Sequence, residues 1–261
     1  MSALRLLWVF FRQAALNELQ YRSNFYVAVF RSLIGLGTGL GSIAVVFSHT
    51  ERLGTWRLEE LIALLGVYTL VGGAINTLVR PSMNKLMEDV RLGTLDFALT
   101  KPADSQVLIS VREVQIWKLV DVAVGAALLG YALAQIGKQV GAAQALGFGA
   151  ALLAGGAIVY SFWLFLATLS FWFVRVDNIL VIFQSMWEAG RWPVTIYPGW
   201  LRATLTFVVP VAFATTVPAE AIAGRLTGQT LAGAIALAAA MLVATRFFWR
   251  FGVRHYSGAS A

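Results

Sequence analysis

The residues of this chain that could do chemistry are few enough to take one by one. Glu188 and Arg191 stand i,i+3 in an apolar stretch, a spacing at which an acid and a base can neutralise each other across one helical turn. Ionisable groups inside a membrane span face an interior, so the same pair could instead line a path or hold a conformational switch. Lys118 and Asp121 repeat that spacing at the start of another apolar run, where they can pair locally. The chain has no cysteine, so neither a disulfide nor a thiolate site is available. No GxxxxGK[ST] loop is present, so no P-loop holds a nucleotide and energised work must draw on another polypeptide.

One further group of charges is denser. The segment Arg80–Pro102, RPSMNKLMEDVRLGTLDFALTKP, is the longest markedly polar stretch and carries Lys85, Glu88, Asp89, Arg91, Asp96 and Lys101. Leu86 with Val90 and Leu95 with Leu99 are i,i+4 apolar pairs within it. Gly93 separates two short helical pieces and Pro102 ends the second. A short amphipathic helix just outside a membrane is suited to press into a pocket on a soluble partner; a solvated loop of balanced charge is the plainer alternative.

The elements that must position these groups follow from composition. Of 261 residues 59% are hydrophobic and 13% charged, with mean hydropathy +0.73. Soluble domains carry about 25% charged residues, so the chain reads as membrane-integrated. Its net charge of +7 sits beside apolar spans, which suits lipid headgroups and orientation signals rather than nucleic acid.

The fold class expected is an all-α integral membrane protein with six transmembrane helices. Residues 1–22 read as an amphipathic helix lying in the interface, with Arg5, Arg12, Gln13 and Gln20 in one wedge opposite Trp8, Phe10 and Phe11. Arg5 and Arg12 interrupt any cleavable signal. Clear spans cover 25–47, 58–79, 114–136, 143–173 and 231–248. Arg31, near the start of the first, can snorkel toward the headgroups. The GLGTGLG run at 35–41 suits close helix packing rather than phosphate binding.

Residues 178–230 allow two arrangements. Either 178–197 is the fifth span and 199–224 a proline-broken re-entrant hairpin, or 178–192 lies in the membrane plane and 201–220 crosses. Charge counting mildly favours the second, because it places Arg202 inside. Under the first, 14 of the 20 bases fall on the side holding both termini and the 80–112 segment, which makes that side cytoplasmic. His49 and His255 then face opposite sides, so no paired-His metal site or dyad forms within one chain.

Several segments together carry a family resemblance: NELQYRSNF (17–25), RLGTLDFALTKP (91–102), LSFWFVRVDN (169–178), the run GRWPVTIYPGWLRATLTFVVPVAFATTVPAEAIAG (190–224) and the ending RFFWRFGVRHYSG. The chain resembles the ABC-2-type ABC transporter permeases, in the branch whose members share its length. The resemblance implies an exporter fold in which the 80–105 segment is a cytoplasmic coupling helix docked on a separate nucleotide-binding ATPase, present in two copies. It implies a second permease subunit, identical or related, and no cofactor on this chain, with ATP and Mg on the partner. It also implies the first arrangement, with 199–224 as the outer hairpin.

The expected coupling residues are Lys85, Glu88, Asp89, Arg91, Gly93, Leu95, Asp96, Leu99, Lys101 and Pro102. Glu188, Arg191, Pro193, Pro198, Trp200, Pro210 and Pro218 form the expected intramembrane polar and gating set. The location expected is the cell's inner membrane with both termini cytoplasmic, and the cargo hydrophobic or amphipathic. A passive channel or scaffold needs no ATPase partner, and a lipid-modifying enzyme would need a constellation of nucleophile, base or metal ligands that the sequence lacks.

Overall fold

The computed structural model describes residues 8–13, 16, 22–137, 141–173 and 177–256. Of the interfacial helix expected over 1–22, the stretch 8–13 is described and helical, with Phe10 against the core and Trp8 exposed; the rest of that expectation, residue 16 aside, lies outside the described residues.

Beyond the stretch 8–13, twelve α-helical segments give the described chain its form. They are α1 (Arg22–Phe47), α2 (Leu58–Ala74), α3 (Arg80–Leu92), α4 (Asp96–Leu99), α5 (Ser105–Ser110), α6 (Leu119–Ile136), α7 (Ala142–Thr168), α8 (Asp177–Ala189), α9 (Gly199–Ala203), α10 (Val211–Ala214), α11 (Thr216–Ile222) and α12 (Gly228–His255). Among the described residues the only β pairing is an isolated bridge between Leu53 and Trp56. Among the described residues five helices are long and apolar enough to cross a membrane, and a bent pair over 199–222 makes a sixth if counted as one.

Span two and the polar segment are one continuous helical rod from Leu58 to Leu92. The sequence places a proline in it, Pro81, whose missing N–H should orphan the carbonyl of Thr77 one turn earlier. Two features absorb that cost. Residues Ile75–Val79 widen into a π turn, and the Thr77 carbonyl accepts instead from the Gln115 N–H at 2.9 Å. The rod stops at Gly93, whose left-handed φ of 68° allows the Thr94 N–H to reach the Asp89 carbonyl and its own N–H that of Val90.

α2 and α6 cross closely because glycines face backbone there. A Cβ on Gly125 would lie 2.4 Å from the Leu70 nitrogen, and one on Gly73 2.7 Å from the Val122 nitrogen. Without a hydrophobic drive between helices in lipid, such close approach supplies the packing energy. Large apolar side chains such as Phe30, Leu153 and Phe247 remain exposed on the outer faces of α1, α7 and α12, the surface a lipid solvent covers.

Helix α8 is shorter than the span expected over 178–197. Its 13 residues extend about 20 Å, against a hydrocarbon core of about 30 Å. Gly190 ends it where a Cβ would meet Val211 at 2.3 Å, and Pro193 prevents resumption. The following residues, 190–196, carry the chain onward to the loop before α2.

Candidate functional site

The polar segment forms a platform at the end of the bundle where α2 ends and α6 begins. Asp89 is 2% exposed, and both its carboxylate oxygens find partners within the chain. Its Oδ1 accepts from Thr94 at 3.0 Å and meets Lys85 Nζ at 3.3 Å, while Oδ2 accepts from Arg112 at 2.5 Å. Lys85 also pairs with Glu88 at 3.2 Å. Ser82 donates to the Glu113 carbonyl at 3.0 Å and accepts from the Glu113 N–H, closing the segment into a loop.

A second set of ties runs to the spans. Arg246 on α12 forms an ion pair with Asp104 and donates to Gln106 at 3.0 Å. Trp249 donates to Ser105 at 3.2 Å, and Gln106 and Ser110 both meet the Tyr160 hydroxyl of α7. The Arg246 bond holds the Asp104 carboxyl below the usual carboxylate range. The platform is therefore stapled to α2, α7 and α12 together.

These contacts divide the expected coupling residues. Asp89 and Leu95 are buried and hold the platform in place; Lys85, Gly93, Asp96 and Leu99 are half-buried. Glu88, Arg91, Lys101 and Pro102 face outward, available to a partner. Two apolar residues that the sequence reasoning did not single out join them: Phe97, 74% exposed, and Leu92. The signal was present. At about 100° per residue, burying Leu95 and Ala98 turns Phe97 outward.

The second constellation lies within the span region. Glu188 and Arg191 pair at 3.0 Å, and the Arg191 guanidinium sits 5.6 Å from the Tyr68 ring centre, which Trp187 also stacks at 5.7 Å. The pair lines a cavity of about 150 Å³ with Arg31 from α1, Asn76 from the end of span two and Asp121 from α6. Arg191 Nε is buried there without a partner among the described residues. Asp121 turns into this cavity, and neither it nor Lys118 forms an ion pair among the described residues, against the expected local pairing. The reason is geometric: Lys118 belongs to a 3₁₀ turn preceding α6 and lines a different cavity.

None of the prolines expected to take part in gating lines this cavity. Pro193, Pro210 and Pro218 are buried, while Pro198 and Trp200 are exposed. They shape a bent segment. Its two arms, Gly199–Val208 and Val211–Ile222, meet at 72° with Pro210 at the break. Before the first arm, Thr195 accepts from the Trp56 indole at 3.1 Å. After the second, Arg225 donates to the Thr55 carbonyl at 2.8 Å and pairs with Glu60 at 3.0 Å, its guanidinium 4.3 Å over the Trp56 ring. Both ends are thus tied to the same 55–60 segment. The break reaches the bundle interior, where a Cβ on Gly155 would meet the Phe213 carbonyl at 2.3 Å.

Apolar helices of spanning length with an anchored polar platform at one end define a multi-pass membrane protein. The family described as ABC-2 family transporter protein matches residues 33–260, and the chain belongs to it. It is a permease component of an ABC transporter, a part that moves cargo across a membrane and is not itself catalytic. No curated protein and no solved structure matches it.

Proposed function

We propose that this chain is the membrane half of an ATP-driven exporter, coupled through residues 80–105 to a separate nucleotide-binding ATPase in two copies. ATP and Mg are bound on that partner. A second permease, identical or related, completes the pair, and both termini lie on the cytoplasmic face of the cell's inner membrane. The observation that carries this reading is the platform: Glu88, Arg91, Leu92, Phe97 and Lys101 face outward from a segment stapled to three spans.

A partner that closes on ATP binding would push a rigid body continuous with α2, and the spans would rock between inward-open and outward-open states. The push can do work only if the partner binds the platform differently in the two states. The 199–224 segment is proposed as an outer re-entrant hairpin, a reading supported by Thr195 just before it and Arg225 just after it sharing one anchor on 55–60. The chain then crosses through α8 and 190–196 together. Aromatic and aliphatic span surfaces suit a hydrophobic or amphipathic cargo.

The test uses Glu88→Lys with Asp96→Lys in the assembled transporter, beside Phe97→Ala alone. Both are expected to leave membrane insertion intact while separating ATP hydrolysis from cargo export. Export at the unmodified rate from the double reversal would overturn the coupling role of the platform, and a passive scaffold or channel would then fit better.

A further inference from the structure

One cavity takes no part in the coupling platform or in the Glu188–Arg191 constellation beyond a shared wall. It measures about 250 Å³ and lies between the first turns of α1 and the turn leading into α6. Two cations line it, Arg31 and Lys118, together with the neutral hydrogen-bonding side chains of Asn24 and Gln115. No carboxylate lines it, and neither base has an ion-pair partner among the described residues. Arg31 is exposed and Lys118 half-buried, and two like charges lining one hollow repel each other, a cost that an anion placed between them removes.

The surroundings say what kind of anion. Arg31 lies about two and a half turns into α1, a depth from which its side chain extends toward the interface. Phe25 and Trp117 pack at 5.2 Å beside the cavity, amphipathic rings of the sort that mark the headgroup level. Val27 in its wall, and Phe30 and Ile34 on α1 and Leu119 on α6 beyond it, are exposed apolar side chains. A polar, doubly cationic hollow opening onto an apolar wall matches a molecule with a phosphate at one end and acyl chains at the other. We propose that this cavity holds the headgroup of an anionic phospholipid, its phosphate between Arg31 and Lys118 and its chains along α1 and α6. Basic hollows between spans are known to take such headgroups. The proposal does not depend on ATP coupling.

The experiment is native mass spectrometry of the full chain released from mixed vesicles of phosphatidylglycerol and phosphatidylcholine, with thermal unfolding in each lipid alone. The unmodified chain is expected to retain phosphatidylglycerol preferentially. Arg31→Gln with Lys118→Gln should lower that preference roughly thirtyfold, from the usual contribution of a base near an anionic surface taken twice. Its unfolding temperature in pure phosphatidylcholine should be unchanged, showing that the variant folds. Arg31→Lys with Lys118→Arg should keep the preference. Arg250→Gln with Arg254→Gln removes equal charge from another surface; an equal loss there would reduce the effect to bulk charge and overturn the site. Inorganic phosphate that stabilises as well as the lipid would overturn the lipid assignment in favour of a free anion. Loss of self-association without loss of lipid preference would make the cavity a permease–permease contact instead.

Discussion

Replacing Asp89 by Asn tests whether the platform is rigid for the reason given. Asp89 is 2% exposed and its carboxylate accepts from Thr94 and Arg112 while facing Lys85. Breaking a buried pair by removing one partner costs about 3–5 kcal/mol. That figure is too high here, because the Arg112 and Lys85 side chains keep 26% and 31% of their surface and can rehydrate. The discounted cost is about 2 kcal/mol. It should appear locally, as roughly thirtyfold faster hydrogen exchange at the amides of α3 to α5, with α6 and α12 unaffected. A double-mutant cycle isolates the contact. Arg112→Gln should cost a similar amount in the unmodified chain and far less once Asp89 is Asn, leaving a coupling of about 1–2 kcal/mol. Additivity within about 0.5 kcal/mol, or exchange that does not change, would refute the staple.

Further expectations follow from single contacts. Gly125→Ala sets a methyl 2.4 Å from backbone, so it should cost at least about 1–3 kcal/mol in thermal unfolding of the detergent-solubilised chain; a neutral result would mean α2 and α6 do not cross there. Glu188→Gln should impair transport more than Glu188→Gln with Arg191→Gln, since the single change leaves Arg191 uncompensated; equal rates would show the pair has no coupled role. Trp56→Phe removes the indole bond to Thr195 at 3.1 Å, and should cost about 1 kcal/mol while raising proteolysis near 195. The Asp104 carboxyl is held low by Arg246, so its stabilising bond is present above the usual carboxylate pKa and is lost as pH falls through the lowered folded value. Limited pepsin digestion near 104 should therefore begin only below about pH 4 in the unmodified chain, and Asp104→Asn should weaken the α12 tie already at neutral pH.

The all-helical membrane architecture was legible because apolar runs of about twenty residues admit one structure in lipid, and five such helices stand among the described residues. The fusion of span two with the polar segment was not legible. Pro81 lacks the N–H a helix needs, and the rod continues because Ile75–Val79 widen into a π turn and the distant Gln115 N–H arrives at the Thr77 carbonyl. The platform's polarity was readable, but its division of labour was not. Asp89 and Glu88 are adjacent charged residues, and Arg112, 23 positions on, joins Thr94 and Lys85 in holding the first inward while the second faces outward. Phe97 was deducible from helical geometry once Leu95 was assigned inward. Charge counting could not see the contacts on which the proposed re-entrant reading of 199–224 rests, because they join Thr195 and Arg225 to residues near 56, far off in sequence.

The chain's lack of cysteine makes one measurement direct. A single cysteine at Phe97→Cys is the only thiol in the permease and lies on the outward face of the platform. Cross-linking in intact cells should join it to an ATPase subunit in a manner that changes with bound nucleotide, and impermeant thiol reagents added outside should not reach it. Labelling from outside, or a cross-link pattern without any ATPase, would contradict the account.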